Sequence, residues 1–219
     1  MSATRRLAVF DLDGTIARRD TLVPFVFGFL WRRPWRFARL AIAVPALLGF
    51  ALGLTGRGEL KATLIRAAFG GLGREELAAW AGVYVPRVVA TGLFKDALAA
   101  IDAHRANGDA LALMSASPDL YVPILGEQLG FATTVCTGIT WRGETLEGRL
   151  ATPNRRGEEK THCLALLREA YPGLAVIAYG NSESDLDHMR HCEEAVYVNG
   201  GAAIRRNPLA QGMRYVDWV

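Results

Sequence analysis

The sequence predicts an α/β protein: a doubly wound, Rossmann-like parallel sheet with a helical domain inserted after the first strand. Three observations carry that expectation. Short runs rich in Val, Leu, Ile and Ala read as continuous apolar strands rather than alternating ones, and helix-like segments separate them. Continuous apolar strands need cover on both faces, which parallel strands joined by helices provide. Third, residues 16–94 carry helical patterning alone, too long a stretch for an ordinary crossover.

In chain order, "LAVFD" (7–11) is the first strand. The following insertion is punctuated by Pro34, Pro45 and Gly-rich turns at 56–58 and 70–73, and is expected to form a separate helical cap over 16–94. The core then comprises 1–15 and 95–219. A helix over 95–107 leads into the strand "ALALMS" (110–115), followed by a helix over 118–130 in which Ser117 is the N-cap and Pro118 the first helical residue. The stretch "TTVCTGITWRGETLEGRL" (133–150) alternates like a two-stranded hairpin around "RGE". A helix over 158–171, the strand "LAVIAYG" (174–180), a helix over 184–192 and the strands "AVYVN" (195–199) and "RYVDW" (214–218) complete the chain.

Composition narrows the function classes. With 219 residues and 51% hydrophobic content, the chain has ample material for a core. Cys136, Cys163 and Cys192 are widely spaced, with no CxxC pair, which argues against a disulfide framework or a zinc site and fits a reducing compartment. The apolar run before Asp11 extends only from Leu7 to Phe10, too short for an export signal, so a cytoplasmic location is expected. His188 and His191 read as solvated helix residues rather than ligands. The net charge of +3 is unevenly placed: residues 16–95 hold twelve Lys and Arg against four acidic residues. That imbalance suggests either an anionic partner or a solvated face. No recognition motif supports nucleic-acid binding.

Ligands of such sheets bind beyond the carboxyl ends of the strands, so the residues that follow the apolar runs matter most. Asp11 and Asp13, at i and i+2, lie on one side of an extended backbone and can address one ligand together. Gly14 permits a sharp turn and Thr15 offers a hydroxyl. Two like charges this close call for a shared cation or proton, and a hard metal suits them, although an Asp-Gly turn is the plainer account. In "YGNSESDLD" (179–187), Asn181 and Asp185 offer oxygens suited to Mg²⁺, while Ser182 or Ser184 can equally cap a helix. Ser115, at a strand end beside the expected helix start, is placed to hold phosphate oxygens.

Taken together, "FDLDGT", "LMSAS", the lysine of "RRGEEKTHCLALL" and "YGNSESDLDHM" resemble, in order and spacing, the four motifs of the haloacid dehalogenase superfamily. The insertion just after the first motif is similar to the cap of its phosphoserine-phosphatase-like branch, subfamily IB. The resemblance implies a Mg²⁺-dependent phosphatase of phosphate monoesters. It implies Asp11 as the nucleophile that becomes an aspartyl-phosphate, and Asp13 as acid and base. Ser115 and Lys160 would hold the phosphoryl group together with Gly14, Thr15 and Ala116. Asp11, the main-chain carbonyl of Asp13, Asn181 and Asp185 would be the metal ligands. Asn181 stands where many relatives have Asp, which implies weaker metal affinity or a shift of Asp185 onto the metal.

Leu40 to Gly56 is a 17-residue stretch without a charge, at the lower limit of a membrane span and broken by Pro45. Trp31, Trp35 and Phe37 beside Arg32, Arg33, Arg36 and Arg39 instead suggest contact with an anionic membrane surface, the alternative being a buried helix pair. This segment is similar to that of bacterial phosphatases acting on phosphatidylglycerophosphate. The expectations are therefore a lipid phosphate handled at the inner face of the cytoplasmic membrane, a small soluble phosphate monoester, or a membrane-associated binding protein with little turnover.

Overall fold

A computed structural model describes residues 5–207 and 210–219 of the chain. Residues 1–4, part of the stretch considered for an export signal, lie outside the described residues. The strands, in chain order, are β1 (Arg6–Phe10), β2 (Ala110–Pro118), β3 (Thr133–Thr137), β4 (Ile139–Arg142), β5 (Thr145–Leu150), β6 (Ala175–Gly180), β7 (Glu194–Val198) and β8 (Arg214–Val216). The α-helices are α1 (Leu22–Arg32), α2 (Val44–Ala51), α3 (Arg57–Phe69), α4 (Arg74–Thr91), α5 (Lys95–Ala106), α6 (Val122–Gln128), α7 (Glu158–Ala170), α8 (Leu186–Met189) and α9 (Ala202–Arg205). Among the described residues, the 3₁₀ helices Pro34–Ala43 and Glu183–Asp185 join them.

Six strands form one parallel sheet in the order β3-β2-β1-β6-β7-β8, and β4 and β5 form a separate hairpin. The chain winds outward from β1 to β3 and then returns to β6 on the other side of β1. Strand order therefore reverses at β1, where a crevice opens beyond the strand ends. Register aligns those ends: Phe10 pairs with Leu113 on one side and with Tyr179 on the other. The polar residues that follow all three strands consequently reach one level.

Both sheet faces are covered, as continuous apolar strands require. Leu7 and Val9 pack with Cys163, Leu164 and Leu167 of α7, while Ala8 and Phe10 face the cluster holding Ile101, Leu111 and Leu125. The helices of the insertion do not keep a core of their own. Phe25 of α1 and Tyr84 of α4 pack on Tyr121, with ring centroids 4.6 and 5.6 Å apart, so their apolar faces join one continuous cluster with the sheet.

Two local expectations are corrected. The run Thr133–Thr137 is not part of the hairpin; it pairs in parallel with β2 and closes that edge of the sheet, leaving the hairpin to residues 139–150. β2 runs on through Pro118 and α6 starts only at Val122, so Ser117 belongs to a strand end and caps no helix. The hairpin docks on the insertion: the Gly71 N–H donates to the Leu146 carbonyl, the Leu146 N–H to the Leu72 carbonyl, both at 2.9 Å, and Arg74 covers the Trp141 ring.

Candidate active site

The N–H of Asp11 still donates to the Tyr179 carbonyl at 3.0 Å, which fixes this residue where strand becomes turn. The turn is tight, because the Leu12 carbonyl accepts from the N–H groups of Ile16 at 2.9 Å and Ala17 at 2.8 Å. Gly14 sits at φ +86° with Asn181 pressed against it, and any Cβ there would collide with the Asn181 amide. Glycine is required twice over, for the positive φ and for the space.

Lys160, in the first turn of α7, is 2% exposed and joins two carboxylates. Its Nζ donates to Asp11 Oδ1 and to Asp185 Oδ1, each at 2.6 Å. Burial alone would lower the pKa of this ammonium, but the two carboxylates outweigh it and hold the pKa well above its usual value. The carboxylates themselves differ. Asp185 Oδ2 accepts from Ser182 N–H at 2.9 Å, Ser182 Oγ at 2.7 Å and Asn181 N–H at 3.3 Å. Burial opposes its charge, yet Lys160 and these donors keep its pKa below the ordinary range. Ser182 thus forms a capping box with Asp185, so the capping role expected for this loop coexists with the site. Asp11 has only Lys160 and, at 3.2 Å, the Thr15 hydroxyl, and burial raises its pKa.

Asp13 is held differently. Its Oδ1 accepts from the Thr21 N–H at 2.7 Å and the Thr21 hydroxyl at 2.6 Å, and its Oδ2 from the Ser117 hydroxyl at 2.6 Å. The Thr21 hydroxyl also meets the Tyr121 hydroxyl at 2.8 Å, and Tyr84 donates to the Thr21 carbonyl at 2.6 Å. Burial pushes the Asp13 carboxyl up despite these donors. A carboxyl so fixed and so shifted is suited to hold and release a proton.

Asp11, Asp13, Ala116, Lys160, Asn181 and Asp185 line one cleft of about 390 Å³ beyond the strand ends. Gly14 and Thr15 support it from behind. Ser115 is placed differently from expectation: it is fully buried, and its Oγ accepts the Ser117 N–H at 3.0 Å. Of the two serines at this strand end, Ser117 is the one that lines the cleft, and its position two residues further along was the available signal. Thr21 and Tyr121, which fix Asp13 through contacts 8 and 100 residues apart in sequence, left no local signature. His188 is also corrected. It lies on the buried face of α8 with Leu186 and Met189, 1% exposed, where burial pushes its pKa down to about 3.

The donor chemistry fits a hard cation. Asp11 Oδ2 and Asn181 Oδ1 both approach the Thr15 hydroxyl, at 3.2 and 3.3 Å, and that hydroxyl has one hydrogen to give. One of the two oxygens is therefore left without a donor. Both oxygens of Asp185 are already engaged by Lys160, Ser182 and the Asn181 N–H, whereas the Asn181 side-chain oxygen has only the shared Thr15 hydroxyl. Among the described residues no three His, Cys, Asp or Glu side chains gather as a metal cluster.

Comparison with known proteins bears directly on this geometry. Residues 8–190 match the family model of the haloacid dehalogenase-like hydrolases. The chain belongs to that family. This hydrolase is 29% identical to protein CicA of Caulobacter vibrioides over 196 residues, covering 87% of this chain and 85% of CicA. Its fold is similar to that of a protein of unknown function from Bordetella pertussis Tohama I, with a TM-score of 0.83 at 22% identity, covering 98% of this chain and 99% of the other. It is also similar in fold to a probable phosphoserine phosphatase from Vibrio cholerae, with a TM-score of 0.71 at 13% identity over 96% of this chain and 60% of that one.

Proposed function

We propose that this hydrolase is a Mg²⁺-dependent phosphomonoesterase that works through an aspartyl-phosphate at Asp11, and that its substrate is a lipid phosphate such as phosphatidylglycerophosphate. Residues 16–94 act as the cap over a core formed by 1–15 and 95–219. The observation that carries the phosphatase reading is the arrangement of Asp11, Lys160 and Asp185 within 2.6 Å contacts, with Asp13 held beside them by Thr21 and Ser117. A similar fold has been solved as a phospho-aspartyl intermediate analogue of phosphoserine phosphatase, with a TM-score of 0.64 at 13% identity.

The carboxylate of Asp11 attacks phosphorus as the bond to the leaving oxygen breaks, and Asp13 gives its proton to that oxygen. Asp13, now ionised, takes a proton from water as the water oxygen attacks phosphorus, and the bond to Asp11 breaks to restore its carboxylate. Lys160 holds Asp11 in place and offsets charge on the phosphoryl group. Asp11, Asn181 and the main-chain carbonyl of Asp13 would hold Mg²⁺, which when bound supplies positive charge between two anionic reactants. At ~4 Å one such like-charge pair costs about 4 kcal/mol at an effective dielectric of 20.

The lipid part of the reading rests on α2. No residue of this helix is buried, and Leu47, Leu48, Leu52 and Leu54 in and after it are 56–81% exposed. Phe50, Leu60 and Leu64 continue this apolar strip into the cleft. An exposed apolar patch beside a polar site suits an acyl chain or a bilayer interface. The arginines have other work. Arg36 donates to the Ala68 carbonyl at 2.9 Å and Arg39 to the Gly70 carbonyl at 2.7 Å, supplying donors at the C-terminal end of α3. Arg33 pairs with Glu76, and Arg32 lies over Trp80. In this reading the membrane contact is carried by apolar insertion of α2, with these four arginines engaged within the insertion. Among the described residues no helix is long and apolar enough to cross a membrane.

Mg²⁺-dependent phosphate release from an aryl phosphate tests the chemistry. Asp11→Asn is expected to lower the rate by about 10³-fold or more, and equal rates in wild type and variant would remove the claim. Sedimentation with anionic vesicles tests the lipid reading: changing Leu47, Leu48, Leu52 and Leu54 to Gln abolishes binding if α2 inserts.

A further inference from the structure

On the floor of the cleft the cation Lys160 has built-in partners in Asp11 and Asp185. The mouth differs. Lys61, on α3, reaches across from the insertion and donates from Nζ to the Ala116 carbonyl and to Asn154 Oδ1, each at 2.5 Å. Both acceptors are neutral. Arg57, which lies over the Phe50 ring, and Arg156 line the same cleft. Among the described residues none of these three cations has a carboxylate within salt-bridge distance. The acidic side chains nearest Lys61 are engaged elsewhere: Asp13 accepts from Thr21 and Ser117, and Asp20 Oδ1 accepts the Val23 N–H at 2.8 Å at the start of α1.

A part-buried ammonium resting on neutral oxygens and facing a second cation is in an unfavourable setting. Burial, with the Arg156 charge adding to it, pushes the Lys61 pKa down to about 8 although Asp13 and Asp20 oppose the shift. An arriving anion would relieve that cost, and the three side chains converge from two separate elements, α3 and the loop before α7. We propose that Arg57, Lys61 and Arg156 form a second anion subsite, which takes a second negatively charged group on the same phosphate monoester substrate. The proposal rests on the phosphatase reading and deepens it: substrates carry two anionic groups, one held at Asp11 and one at the mouth. The phosphodiester of a phospholipid headgroup supplies the second anion in one case, and the carboxylate or second phosphate of a soluble metabolite in the other. Because Lys61 contacts the carbonyl of Ala116, next to the Ser117 that holds Asp13, the second anion docks beside the reacting group.

Calorimetry tests this without turnover. Propane-1,3-diyl bisphosphate and propyl phosphate are titrated, with Mg²⁺, into the Asp11→Asn protein and into the same protein carrying Lys61→Gln, Arg156→Gln, or both with Arg57→Gln. The bisphosphate is expected to bind about tenfold tighter than the monophosphate, and that ratio to fall toward one in the triple variant. Lys61→Arg retains most of it, which separates charge from fold, and melting curves establish that each variant is folded. Equal binding of the two ligands, or a ratio that survives the triple substitution, overturns the subsite. In parallel, wild-type turnover of phosphatidylglycerophosphate against phosphatidic acid in mixed micelles, and of the bisphosphate against propyl phosphate, tells a lipid source from a soluble one. A binding ratio without turnover of any substrate sinks the phosphatase reading and leaves the subsite standing; turnover without the ratio does the reverse.

Discussion

Two lysines face the same cleft and are treated in opposite ways. Lys160 rises from the core helix α7 to two carboxylates at 2.6 Å and is kept charged beyond its ordinary range. Lys61 descends from α3 of the insertion onto two neutral oxygens, and burial eases its proton off at about pH 8. The difference separates a cation whose partners are built into the fold from one whose partner has to arrive. The floor is thus preorganised for a fixed reaction, and the mouth, supplied largely by the insertion, is left open to selection by the substrate.

The strongest way to break this contrast is Lys160→Met. Removing one member of a buried ionic group leaves Asp11 and Asp185 facing each other, so the variant is expected to lose about 3–5 kcal/mol of stability by denaturant unfolding, together with its activity. A variant as stable as wild type would show that the three charges are not coupled. Lys61→Met should behave in the opposite sense. The folded-state pKa of Lys61 lies below its unfolded value, so the unfolded chain binds more protons between about pH 8 and 10.5, and stability contributed at this site rises with pH across that window. Melting of wild type and Lys61→Met as a function of pH should therefore converge as the solution becomes alkaline, with the variant at least as stable at pH 7. A wild-type advantage at pH 7 that shrinks as pH rises would mean that Lys61 has a built-in anionic partner after all.

The smallest expected effect sharpens the account of the insertion. Arg36→Gln with Arg39→Gln removes donors from the carbonyls of Ala68 and Gly70 at the end of α3. A loss of about 1–3 kcal/mol is expected, with vesicle binding retained, since α2 and not the arginines carries the apolar contact. Loss of vesicle binding at unchanged stability would restore the headgroup role first suggested by the arginine spacing.

The sheet and the floor of the site were legible because their signals are local. The apolar run ending at Asp11, the glycine whose φ and clearance the turn demands, and the oxygens after β6 each announce themselves within a few residues. Thr133–Thr137 is ambiguous in sequence because a short alternating run pairs equally well with a hairpin partner or with a sheet edge, and only the open edge of β2 decides between them. In sequence Ser115 rather than Ser117 reads as the strand-end serine, because the length of β2 past Met114 depends on how it leaves its register with β3. The mouth was the least legible region. Lys61 meets Asn154 across 93 residues and Arg36 meets Ala68 across 32, and composition gave only a surplus of basic residues without saying which of them are spent inside the fold.

The central claim, that Asp11 carries the phosphoryl group, is tested most directly by chemical trapping. Wild-type protein turning over a phosphate monoester with Mg²⁺ is quenched and reduced with borohydride, which converts an aspartyl-phosphate into homoserine, and the modified position is read by peptide mass spectrometry. Homoserine at position 11, and its absence in Asp11→Asn, is the predicted result; sustained turnover with position 11 unmodified, or with the label on another carboxylate, would contradict it.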